Sequence, residues 1–173
     1  MSNYKPNLQN INTFIFDYDG VLSDGNIITL DKGEAYRTTN VKDGYALQLA
    51  IKKGYRVAVI SGAQADGMLH RLTALQIKDT FLGVKNKLEV FNKYLEDNDI
   101  TANQVLFMGD DIPDYELMLS AGISTCPADA AEEIRKVAHY ISHAAGGKGC
   151  VRDVIEQVLK IQGKWMNDDG YHW

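Results

Sequence analysis

A chain of 173 residues with 45% hydrophobic side chains is long enough for one domain with a full core, and nothing in it reads as disordered. A net charge of −5 argues against a nucleic-acid-binding surface, which normally shows a basic stripe. No run approaches the ~20 apolar residues of a membrane-crossing helix. Residues 1–9 lack the apolar core of a signal peptide, and Cys126 and Cys150 stand far apart without metal-site spacing, so a reduced, cytoplasmic protein is expected.

Residues 1–10 read as a polar lead-in. Thr13–Phe16 is a short run of β-formers that ends at Asp17-Tyr18-Asp19-Gly20, so a buried strand is expected. Residues 22–41 carry two β-rich runs about a Gly-containing turn, a hairpin flap. Asp43 is read as the N-cap of a helix through Ile51 that Gly54 stops. Arg56–Ile60 is a second buried strand, ending in Ser61-Gly62. A helix over Gln64–Leu75, a short strand at Thr80–Leu82 and a helix over Asn86–Asp97 follow. Thr101–Gln104 has capping-box spacing. Val105–Met108 is the third clear buried strand, ended by Gly109-Asp110-Asp111, and Pro113 fits the first turn of a helix to Ser120. A weak strand at Ile123–Thr125, a helix from an Asp129–Glu132 box to Val137, a strand at Tyr140–Ile141 and a helix over Val151–Ile161 complete the series. Strands alternating with helices predict an α/β fold with a mostly parallel central sheet between two helical layers.

The chemistry gathers at strand ends. Asp17 and Asp19 lie two residues apart, so they point the same way if the strand continues, and two such carboxylates need a cation between them or a retained proton. Ser61 and Gly62 precede a helix, where a hydroxyl and backbone N–H groups can cradle phosphate. Lys87 opens a helix. Asp110, Asp111 and Asp114 follow the third strand. Each feature alone has a plain structural reading: an Asp-Gly turn, a strand-to-helix turn, a surface lysine, acids complementing a helix dipole.

In this order, DxD, Ser-Gly, lysine and GDDxxD resemble the four signature motifs of the haloacid dehalogenase-like superfamily of phosphoryl-transfer enzymes, over roughly residues 13–155. The resemblance implies a Rossmann-like three-layer sandwich. It implies Asp17 as the nucleophile that forms an aspartyl-phosphate and Asp19 as the general acid/base. Mg²⁺ would be held by Asp17, the backbone carbonyl of Asp19 and Asp110. Ser61, Gly62 and Lys87 would bind the phosphoryl oxygens, with Asp111 and Asp114 supporting the metal and the lysine. The physics agrees: an anionic nucleophile reaches an anionic phosphate only if cations neutralise both.

The first gap, from Asp17 to Ser61, holds only a hairpin and a helix, and the second, to Lys87, a helix and a short strand. No cap domain fits, so residues 1–173 are expected to form one hydrolase domain whose site is closed by a large substrate or by another subunit. With DYDGVLSDG, NVKDGYALQLA, GDDIPD and GGKGCVRD in order, the chain resembles the 3-deoxy-D-manno-octulosonate 8-phosphate phosphatases. These are capless, Mg²⁺-dependent homotetramers that release phosphate from an eight-carbon sugar acid in lipopolysaccharide precursor synthesis. The resemblance implies a phosphorylated sugar acid as substrate and a homo-oligomer. The alternatives are a phosphatase for a nine-carbon keto-deoxy sugar acid 9-phosphate and, from another class, a non-catalytic assembly subunit. Two departures stand out: Tyr18 replaces a small β-branched residue, and Ala63 replaces the arginine that many members carry after this Ser/Thr-Gly turn. Lys42, Asp43, Arg71, Lys148 and Arg152 are candidate substrate or subunit contacts. The Gly-rich stretch 146–149 before a basic pair reads as an anion site. The tail over residues 163–173, with both tryptophans, reads as a docking segment.

Overall fold

The computed structural model describes residues 3–31 and 33–166. Its elements are β1 (Thr13–Phe16), the hairpin strands β2 (Ile28–Thr29) and β3 (Ala35–Tyr36), α1 (Val41–Lys52), β4 (Arg56–Ile60), α2 (Asp66–Ala74) and β5 (Asp79–Phe81). There follow α3 (Lys87–Asp97), β6 (Val105–Met108), α4 (Tyr115–Ser120), β7 (Ile123–Cys126), α5 (Glu132–Val137), β8 (Tyr140–Ile141) and α6 (Cys150–Ile161). The sheet order is β5-β4-β1-β6-β7-β8, and every pairing in it is parallel. β2 and β3 pair only with each other, antiparallel, outside this sheet.

The central strands β1, β4 and β6 are short, mostly apolar and, apart from Arg56, buried, which is what a parallel sheet between two helical layers requires. Their alternation divides the core. Phe14, Phe16, Val57, Val59, Leu106 and Met108 face one cluster, with Leu47 of α1, Met68 and Leu72 of α2, and α6. Ile15, Ala58, Ile60, Val105 and Phe107 face the other, with Phe91 of α3, Leu117 of α4 and Ile134 of α5. From α6, Val151, Val154, Ile155, Val158 and Leu159 are all buried, each contributing roughly 1.5–3 kcal/mol.

Local chemistry corrects several sequence expectations. Residues Lys5–Asn10 are not a loose lead-in: they form a 3-10 helix that buries Leu8. Asn40, not Asp43, caps α1, its side chain accepting from the Lys42 N–H. Asp129 does not open α5. It accepts instead from the Gly146 N–H at 2.9 Å. The box at Thr101–Gln104 does form. Of the tail, Trp165 packs against the core beside Arg152, and residues 167–173 lie outside the described residues.

Candidate active site

The register aligns the ends of three adjacent strands, with Phe16 opposite both Val59 and Met108. Asp17, Ser61 and Asp110 therefore leave the sheet at one edge, on either side of β1, where the chain order changes direction. Ligands of open parallel sheets bind at that place. Here a pit of about 300 Å³ is lined by Asp17, Asp19, Ser61, Gly62, Lys87, Asp110, Asp111 and Asp114, among others.

Asp17 is buried, its own N–H donating to the Met108 carbonyl. Lys87, the first residue of α3, is also buried; its Nζ donates to Asp114 Oδ1 at 2.7 Å and stands 3.0 Å from Asp17 Oδ1. The second contact is an ion pair that ties buried Asp17 Oδ1 to the ammonium. Asp114 is fully covered, and its Oδ2 accepts from the Asp110 N–H. Oxygens of Asp17, Asp110 and Asp114 all lie within 4.8 Å of one another.

Three carboxylates this close strain each other's ionisation. Burial first, then the charge of Asp114, pushes the Asp17 carboxyl up to about 7, against the pull of Lys87. Burial and the charges of Asp17, Asp114 and Asp111 push Asp110 up to about 8. Burial would lower the Lys87 ammonium, but Asp17 and Asp114 outweigh it and hold it above its ordinary value. One ammonium cannot neutralise three acids. The donor set, all oxygen, fits a hard divalent cation. Close approach is built in by glycine: a Cβ on Gly20, where φ is +81°, would stand 2.0 Å from Asp110 Oδ2.

The structure thus brings Asp17, Asp19, Ser61, Gly62, Lys87, Asp110, Asp111 and Asp114 to one pit. Asp114, expected only as support, joins the acidic cluster directly. The candidate contacts scatter. Lys42 is exposed. Asp43 is buried and accepts from the Gly149 and Arg152 N–H groups at the start of α6, so it docks that helix. Arg152 lies over the rings of Tyr45 and Trp165. Lys148 pairs loosely with Asp24, at 3.4 Å. Arg71 borders a separate groove of about 680 Å³ beside the hairpin.

The Gly-rich stretch is corrected too. The N–H groups of residues 146–149 donate to Asp129, Val21, Ala145 and Asp43, so they are committed within the protein. A Cβ on Gly146 would stand 1.9 Å from the Gly20 carbonyl oxygen. These glycines let the segment lie against the loop that follows Asp19. Arg37 escaped the sequence reading. Just past β3, it makes a two-pronged pair with Asp19, at 2.6 and 2.9 Å, and Ser23 Oγ adds a bond at 3.1 Å. No spacing rule links a hairpin arginine to a strand-end acid.

A family described as haloacid dehalogenase-like hydrolase matches residues 83–152. The 3-deoxy-D-manno-octulosonate 8-phosphate phosphatase KdsC of Salmonella typhi is 39% identical over 156 residues, covering 90% of this chain and 83% of that protein. The crystal structure of the phosphatase of that name from Yersinia pestis matches with a TM-score of 0.92 at 34% identity, over 94% of this chain and 88% of that one. The enzyme from Moraxella catarrhalis, solved with magnesium, phosphate and KDO, matches with a TM-score of 0.91 at 31% identity, over 94% of each chain. At such identity over nine-tenths of its length, this chain belongs to the 3-deoxy-D-manno-octulosonate 8-phosphate phosphatase family of haloacid dehalogenase-like hydrolases.

Proposed function

We propose that this protein hydrolyses 3-deoxy-D-manno-octulosonate 8-phosphate to the free sugar acid and phosphate, through an aspartyl-phosphate on Asp17. The observation that carries the phosphatase reading is the buried Asp17 carboxylate, ion-paired with Lys87 and crowded by two further acids at the strand ends. The relatives named above support the choice of substrate. The relatives set it ahead of the nine-carbon alternative, and the complete phosphoryl-transfer set argues against a non-catalytic subunit.

Asp17, Asp110 and Asp114, with the Asp19 backbone carbonyl, would hold Mg²⁺, whose role when bound is to neutralise Asp17 and the phosphoryl oxygens. Lys87 supplies a second positive charge on the same side. Ser61 and Gly62, at the head of the turn after β4, face the equatorial oxygens. Asp17 attacks phosphorus and the sugar's terminal oxygen leaves. Asp19 gives that oxygen a proton, then takes one from the water that cleaves the acyl phosphate. Asp111, exposed at the rim, supports the cation side.

The site is open on the hairpin side. Ile27, Ile28, Leu30 and Tyr36 are exposed there, an apolar tip that suits a neighbouring copy. This supports the homotetramer reading, in which hairpins cover neighbouring sites. No helix among the described residues is long and apolar enough to cross a membrane. Both cysteines are buried free thiols, as suits a reducing, cytoplasmic place. The test is phosphate release from a panel of sugar phosphates with Mg²⁺. The eight-carbon acid should lead the panel. A clear preference for the nine-carbon acid, or no turnover of any member, would overturn the reading.

A further inference from the structure

The proton donor assigned above is already engaged. Asp19 Oδ1 accepts from Arg37 Nε and from Ser23 Oγ, and Oδ2 accepts from the other prong of the Arg37 guanidinium. An acid that hands a proton to a leaving oxygen must turn one oxygen, carrying the proton, toward that oxygen. A two-pronged guanidinium donates to both and accepts from neither. The arrangement seen is therefore a latched one, and catalysis requires Arg37 to let go.

Arg37 has a second place to bind. Its side chain also lines the groove beside the hairpin, together with Tyr36, Gln64, Tyr18 and Arg71. Arg71 borders that groove from α2, its guanidinium lying close to Gly44 of α1 and its buried Nε lacking a hydrogen-bond partner. Two guanidiniums on one groove call for an anion, and a planar carboxylate matches the fork that Arg37 already presents to Asp19. The pit takes the phosphoryl group, while the groove lies beside it. A ligand with phosphate at one end and carboxylate at the other meets both.

We propose that Arg37 exchanges the Asp19 carboxylate for the carboxylate of the substrate, so that Asp19 is freed to take a proton from water and pass it to the leaving oxygen only when an acidic sugar phosphate is bound. This rests on the sugar-acid reading above and makes Arg37 a specificity-determining positioning residue. A ligand shifts such an equilibrium only through contacts that differ between its two states, and a neutral sugar phosphate offers Arg37 none. Selectivity for the acid then comes from release of the proton donor as well as from affinity.

The test is steady-state kinetics of the wild type, Arg37→Ala, Arg37→Gln and Arg37→Lys on 3-deoxy-D-manno-octulosonate 8-phosphate and on neutral arabinose 5-phosphate. The wild type should prefer the acid. In Arg37→Ala and Arg37→Gln the ratio of kcat/KM values should fall on the order of 30-fold, the worth of a lost charged hydrogen-bonding pair. Their kcat on the neutral ester should rise above wild type, because the latch is gone. Arg37→Lys, with charge but no fork, should recover part of the ratio. Parallel losses on both substrates would mean that Arg37 merely orients Asp19, and would overturn the exchange, as would unchanged kinetics. A wild type without preference for the acid would sink the sugar-acid reading and the exchange together. A preference that survives in Arg37→Ala would sink the exchange alone.

Discussion

Asp17→Asn should make the metal-free protein more stable while ending turnover. Without a cation, burial and Asp114 move the Asp17 carboxyl from an ordinary 3.8 to about 7, even with Lys87 beside it. A carboxyl that is harder to ionise in the folded chain than in the unfolded one makes its own charge a cost to folding. The displacement corresponds to ~4 kcal/mol once the group is fully ionised. Asparagine keeps the shape, removes the charge and leaves Lys87 bonded to Asp114 at 2.7 Å. Lost contact with Lys87 offsets part of the gain, so a net stabilisation of about 2 kcal/mol at pH 8 is expected. The sign follows from proton binding. Between about pH 4 and pH 8 the folded chain holds protons that the unfolded chain has released, so stability falls as pH rises. Asp110, held up to about 8, acts in the same direction. Urea unfolding with a chelator at pH 5, 6.5 and 8 measures this. The advantage of Asp17→Asn should widen with pH, and saturating Mg²⁺ should reverse the order by binding the wild type alone. A variant less stable than wild type at pH 8 in chelator, or a gap independent of pH, would refute the reasoning.

Two further substitutions separate structure from chemistry. Gly20→Ala places a Cβ 2.0 Å from Asp110 Oδ2 at a positive φ, so it should lose about 1–2 kcal/mol of stability and raise the Mg²⁺ concentration for half-maximal activity by roughly 10-fold or more. Metal titration of activity and thermal melting check both, and an unchanged titration would contradict the close approach. Asp43→Ala removes the acceptor of two N–H groups at the start of α6 and should cost about 2–3 kcal/mol in urea unfolding, with little change in KM. A raised KM with unchanged stability would instead make Asp43 a substrate contact.

The fold was legible because three strands, Thr13–Phe16, Arg56–Ile60 and Val105–Met108, are apolar runs that stop at turn and acid residues. Burial on both faces produces that pattern in a parallel sheet. The pit was legible for the same reason: a parallel register brings the ends together, so residues just past each strand converge. What escaped depends on contacts distant in sequence. Asp43 has the look of a cap, but Asn40 took that role and left Asp43 to hold α6. The glycines of 146–149 resemble an anion cradle, but their N–H groups are used by Asp129, Val21 and Asp43. Arg37 reaches Asp19 across the hairpin, a distance set by the path of residues 22–36 and by no local propensity. Asp114 is visible as an acid, yet its place inside the cluster follows from the 3-10 turn at Ile112–Asp114, where sequence pattern alone predicts the first turn of a helix.

The proposed reaction turns on transfer of the phosphoryl group to Asp17. Acid-quenched single turnovers with ³²P-labelled 3-deoxy-D-manno-octulosonate 8-phosphate, borohydride reduction and peptide mass spectrometry test it directly. A base-labile label on the peptide holding Asp17, converted there to homoserine, is expected with Mg²⁺ and absent with chelator. Full turnover with no label, or a label on another residue, would contradict the account.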